Sequence, residues 1–181
     1  DKPFLDGKLD DAIWESCKPL QLFSDKALAA SPATVRFARD EDYLYVAVEC
    51  RKAPLEYRID EGPRERDADL SQTDRIELLL DVNRDWNTAY RFRVDHRGWA
   101  ADGLDADGSW DPRLHVAALH DEENWRMEAA IPLEELGPAP PDTREVWAVG
   151  VERIVPSVGK QSWPASEALL APADSGMLLF Q

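Results

Sequence analysis

The sequence predicts an all-β fold, an antiparallel β-sandwich of two sheets (immunoglobulin-like or jelly-roll-like in build) with little helix. Three observations predict it. Apolar residues recur with a period of two in several runs, which is the pattern of half-buried strands. Asp, Asn, Gly and Pro punctuate those runs at short intervals. The only helical signal is one short turn at Pro132–Gly137, with Pro at its start and Gly at its end.

The chain opens on Asp6-Gly7, a turn signal, followed by a short amphipathic piece in which Ile13 and Trp14 are expected as buried anchors. Leu20–Phe23 reads as an edge strand and Ala27–Pro32 as a loop. Thr34–Ala38 and Tyr43–Cys50 alternate around Arg39–Asp42, whose acidic four residues suit a hairpin connection. Arg51–Gln72 is charged, holds Pro54, Gly62 and Pro63, and reads as a long loop.

Thr73–Asp95 is the organising stretch. Ile76, Leu78 and Leu80 alternate with Arg75, Glu77, Leu79 and Asp81; Tyr90, Phe92 and Val94 alternate with Arg91, Arg93 and Asp95. The Asn- and Asp-rich Val82–Ala89 connects them, giving an antiparallel pair with one face in a core and Glu77, Arg91 and Arg93 together on the other. Gly98–Pro112 reads as irregular. Leu114–Leu119 and Trp125–Ile131 form a further pair around His120–Asn124, Pro138–Asp142 is a proline loop, and Val146–Val155 and Gly176–Phe180 are the last strands. Residues 1–181 carry no repeat and no linker, so they read as one domain, long enough for a full core.

The formal net charge of −15 repels phosphate backbones and anionic lipid, so neither nucleic acid nor a membrane is the expected partner. The same field suits neutral ligands and recruits calcium readily. No stretch reaches the roughly 18 apolar residues that span a bilayer. No charged-then-apolar signal segment opens the chain, which starts directly on a folded pattern, as after removal of an export signal. Cys17 and Cys50 allow one disulfide, or two buried thiols acting as small hydrophobes.

Trp163, in Gln161-Ser162-Trp163-Pro164, reads as a loop tryptophan that offers a flat face to a sugar ring, or else as a lid on the sandwich end. Glu77 with Arg93 and Arg91 can grip neighbouring hydroxyls, because carboxylate and guanidinium fix acceptors and donors in planar geometry; the alternative is a cross-strand ion pair. Arg153 shares the side of Val149, Val151 and Val155, which points to a buried or rim arginine paired with an acid, and it is counted with the candidate ligand-binding residues. Asp105, Asp107 and Asp111 cluster oxygens around Gly108 and are the candidate calcium ligands. Trp14, Trp125 and Trp147 sit within apolar alternation and read as core. Catalysis has little support: there is no Gly-x-Ser-x-Gly, His-Glu-x-x-His or phosphate-cradling loop, and His115 and His120, five apart, would face opposite ways on one strand.

The order of motifs carries a resemblance. It runs Asp6-Gly7-x-Leu9-Asp10-x-x-x-Trp14, Asp42-Tyr43-Leu44-Tyr45-Val46-Ala47, Asp74-x-Ile76-Glu77-x-x-x-Asp81, Tyr90-x-Phe92-Arg93-Val94, Trp125-x-Met127-Glu128-Ala129-Ala130-Ile131-Pro132-Leu133, then Arg153 and Ser162-Trp163. Over nearly the whole chain it resembles the family 9 carbohydrate-binding modules. The resemblance implies a β-sandwich without catalysis that binds an oligo- or polysaccharide, often at a chain end, with no organic cofactor and with calcium in structural sites. It implies a sugar ring between two tryptophans, with charged and amide side chains on the hydroxyls. By position Glu77, Arg93 and Trp163 carry those roles. The family's other tryptophan precedes the Glu77 strand, where this chain reads Asp69-Leu70-Ser71-Gln72; Trp86 or Trp99 supplies the second wall, or there is no clamp. The domain is then expected to be extracellular or periplasmic and tethered to another domain of a longer secreted protein. Two rival readings are a haem-binding electron-transfer sandwich, using Met127 or Met177, and an interaction sandwich that has lost the sugar site.

Overall fold

The computed structural model describes residues 2–24, 26–57, 66–105, 107–137, 140–166 and 170–180. Twelve strands are found among them, and every pairing is antiparallel. They are β1 (Leu20–Gln21), β2 (Phe23–Ser24), β3 (Ala33–Arg39), β4 (Tyr43–Arg51), β5 (Arg75–Asp81), β6 (Tyr90–Asp95), β7 (Ala100–Leu104), β8 (His115–His120), β9 (Asn124–Pro132), β10 (Val146–Val155), β11 (Gly159–Trp163) and β12 (Gly176–Leu179). One sheet has the order β1-β3-β4-β9-β8, the other β2-β11-β10-β5-β6-β7, with β12 pairing along the first half of β10.

The alternation read from the sequence is what stacks these sheets. Leu44, Val46, Val48 and Cys50 of β4 and Trp125, Met127, Ala129 and Ile131 of β9 face Ile76, Leu78 and Leu80 of β5, Phe92 and Val94 of β6, and Trp147, Val149 and Val151 of β10 in one buried core. Burying each large member contributes about 1.5–3 kcal/mol. The outer face of the five-stranded sheet is covered by the N-terminal segment and its one-turn helix α1 (Ala12–Ser16), with Trp14 packed on Tyr45, Ala47 and Ala130. Beneath that cover the fully buried Glu128 accepts the amides of Asp6 and Gly7 and the indole N–H of Trp14, at 3.0, 2.7 and 2.7 Å.

Several expectations change. The edge strand at Leu20–Phe23 is split: β1 joins one sheet and β2 the other, with buried Leu22 at the crossing. The irregular Gly98–Pro112 contains β7, and the supposed loop around Trp163 is the end of β11. Both segments lack β-branched residues, so pairing to β6 and β10 sets their conformation and local propensity does not. The long loop at Arg51–Gln72 is described only outside residues 58–65, and the proline loop only outside residues 138–139. Both cysteines are free thiols: Cys50 lies in the inter-sheet core and Cys17 with the cluster on the other face of its sheet. Of the methionines proposed for haem, Met127 is sealed in the core and Met177 is exposed on β12. No helix among the described residues is long and apolar enough to cross a membrane.

Candidate functional site

Strand register places the polar groups of the seven-stranded sheet. Glu77 lies opposite Arg93 on β6 and opposite Glu152 on β10, and Glu152 lies opposite Ser162 on β11. Two register positions along, Leu79 faces Arg91, and two the other way Arg75 faces Asp95. On β7 the partners of Arg93 and Arg91 are Ala101 and Gly103, so small residues leave the space above the arginines open. The far part of this face is roofed, since Leu170 lies on Leu79, Ala89 and the Cα of Gly150.

The open part is a cleft of about 520 Å³ lined by Asp67–Ser71, Arg75, Glu77, Arg93, Ala101, Asp102 and Gly108. At its floor the Arg75 Nε donates to Glu77 at 2.9 Å, and the Arg93 Nε stands 3.8 Å from the other Glu77 oxygen. Arg75 also donates to the carbonyls of Leu70 and Ser71, tying the cleft wall to its floor. Arg93 is the more exposed of the two guanidiniums, its side chain 42% accessible against 14%.

Asp102 sits at the β7 side with its side chain only 3% accessible. One of its oxygens accepts Arg66 at 3.0 Å, while the other is buried with no partner among the described residues. Burial pushes this carboxyl up to about 6; Arg66 opposes that, and Asp67 and Asp111 reinforce it. The amide hydrogen bond from Ser71 holds Asp69 below the usual carboxylate range.

The residues named from the sequence divide between this cleft and other places. Glu77 and Arg93 form its floor, and Arg91 lies next to them, donating to the Leu170 carbonyl at 3.4 Å. Trp163 does not join them. It pairs with Val151, a core residue, so it is on the opposite face from Glu77, and its ring lies against Gly176. The stacking expected of a loop tryptophan beside Glu77 therefore does not fit this register. Trp86 is exposed at the tip of the β5–β6 connection, and Trp99 lies beneath the Arg97 guanidinium at 4.2 Å; neither lines the cleft.

Arg153 is fully buried, and its five N–H donors meet five protein acceptors: both Asp74 oxygens, the carbonyls of Ser31 and Arg51, and the Gln161 amide oxygen. Asp74 in turn accepts the Trp125 indole and the Tyr57 hydroxyl. Although burial disfavours the charge, the Asp74 bond holds this guanidinium above its ordinary pKa. It is the acid-paired buried arginine, without a donor left for a ligand.

The three aspartates proposed for calcium do not converge. Asp105 accepts the Ala89 amide, Asp107 the Ser109 amide, and Asp111 pairs with Arg66. Among the described residues no three acidic, histidine or cysteine side chains group to hold a metal. Sequence reading passed over Arg75, Asp67, Asp69 and Asp102. The parity of β5 exposes Arg75 beside Glu77, whereas Asp102 lay in a stretch read as irregular.

Comparisons with known proteins agree with this architecture. Two solved structures of a family 9 carbohydrate-binding module from Caldicellulosiruptor kristjanssonii superpose on the whole chain. The complex with cellotriose gives a TM-score of 0.75 at 20% identity, covering 100% of this chain and 90% of that one. The complex with glucose gives 0.76 at 19%, covering 100% and 92%. No curated protein matches the sequence. The family model described as "Carbohydrate family 9 binding domain-like" matches residues 5–157, so the chain belongs to that family.

Proposed function

We propose that this chain is a non-catalytic saccharide-binding module whose ligand lies in the cleft on the outer face of the seven-stranded sheet. The observation that carries the reading is the Arg75–Glu77–Arg93 row at the floor of that cleft. A carboxylate flanked by two guanidiniums presents acceptors and planar donors side by side, which matches vicinal hydroxyls. Family membership and the two saccharide complexes of similar fold support it. Glu77 and Arg93 bond the hydroxyls in this reading, Arg91 borders them, and Trp163 stays outside the site. The module works within a longer secreted polypeptide, where the attached domain would supply any chemistry.

The test is calorimetric titration of the chain with cellotriose, beside Arg93→Ala and Glu77→Gln. Losing a hydrogen-bonding partner in a partly desolvated site costs about 1–3 kcal/mol, so affinity should fall roughly tenfold or more in each. Arg93 is partly exposed, and its variant should melt like the parent. Unchanged affinity in a folded Arg93→Ala variant would move the site elsewhere.

A further inference from the structure

The reading of the cleft as a saccharide site leaves open what kind of saccharide it takes, and the charges around it bear on that. Asp67, Asp69, Glu77 and Asp102 line it against two guanidiniums, Arg75 and Arg93, and both of these are turned to Glu77. Arg66 at the rim is shared between Asp102 and Asp111. With the rim counted, five carboxylates meet three guanidiniums, inside a chain of net charge −15. Among the described residues the lining contains no aromatic ring, so hydrogen bonds and charge rather than stacking hold a ligand there.

The second observation is the orphan oxygen of Asp102. A buried acceptor without a donor is costly, by about 1–3 kcal/mol, and a ligand N–H placed there would relieve it. A divalent ion is poorly suited, because no three ligating side chains among the described residues converge on one point. An ammonium suits the arrangement better: it carries three donors, and it gains from carboxylates spread along the Asp67, Asp69 and Asp102 side.

Resting on the saccharide reading above, we propose that the cleft selects a sugar bearing cationic amino groups, as an oligomer of glucosamine does, with one ammonium received by Asp102 and the others drawn to the carboxylates spread along the Asp67 and Asp69 side.

The test is calorimetric titration of the chain at low salt with three trimers: of glucosamine at a pH where its amine is charged, of glucose, and of galacturonate. The expected result is affinity for the glucosamine trimer roughly tenfold above that for cellotriose, shrinking severalfold in high salt. Asp102→Asn and, separately, the exposed Asp69→Asn should each shrink that preference. Asp69 is included because its variant should fold even where the buried one does not. Equal affinity for the glucosamine and glucose trimers, or preference for galacturonate, would overturn the amino-sugar assignment while leaving a saccharide site. So would a preference that survives both variants. Binding of none of the three would overturn the saccharide reading itself. Calcium alone binding, with loss of the signal in Asp102→Asn, would replace the amino sugar by a metal ion.

Discussion

Arg153 and Glu128 show how a buried charge is kept in this protein. Asp74 with three carbonyl-type acceptors satisfies every donor of Arg153, and two amides with an indole satisfy Glu128. Removing one member leaves the other uncompensated, which is the expensive outcome. Asp74→Ala should therefore cost about 3–5 kcal/mol, seen as a lower denaturation midpoint in urea, whereas Arg91→Ala should cost under about 1 kcal/mol because its bonds are long and partly solvated. A near-neutral Asp74→Ala would show that Arg153 relaxes to other acceptors. Half of this was legible from spacing: the parity of β10 put Arg153 on the side of the core valines, and its partner could not be named because Asp74 precedes a different strand.

Among the elements, β10 sits at the middle of the larger sheet, with β5 on one edge and β11 and β12 sharing the other. Its second half brings Trp163, its first half Gly176, and a Cβ added to Gly176 would clash with the Trp163 ring. Gly176→Ala should then destabilise by about 1–3 kcal/mol through overpacking, measured as a lowered melting temperature. An unchanged melt would mean that the ring swings outward. The long apolar strands β4, β5, β9 and β10 were legible because their period of two is the burial pattern itself. Strands β7 (Ala-Ala-Asp-Gly-Leu) and β11 (Gly-Lys-Gln-Ser-Trp) were not, since neighbours impose their conformation. That gap cost the site reading most, for it hid Asp102 and put Trp163 on a loop.

For the molecule as a whole, the two sheets meet at one end through histidines. His96 follows β6 in one sheet, His120 ends β8 in the other, and their rings stand edge to face at 5.5 Å beside Tyr57. Burial, then the proximity of His96 and of Lys52, lowers the His120 pKa from 6.5. A depressed histidine favours folding fully above its unfolded pKa and loses that contribution as pH falls from about 6.5 through its folded value. Denaturation midpoints should accordingly drop between pH 7 and pH 5, with a shallower slope in His120→Gln; an identical slope would assign the acid sensitivity to other groups. Fold class and the Glu77–Arg93 face were readable from spacing alone, while the depth and sign of the cleft depended on distant segments brought together by β7. The placement of the tryptophans has one practical result. Trp14, Trp125 and Trp147 are core, Trp110 packs on Tyr90 and Phe92, Trp163 rests on a glycine, and none of the seven faces the cleft. A ligand seated there should leave the protein's ultraviolet emission unquenched and unshifted, so a flat fluorescence titration is the signal of an occupied cleft as much as of an empty one, and only the heat of binding separates the two.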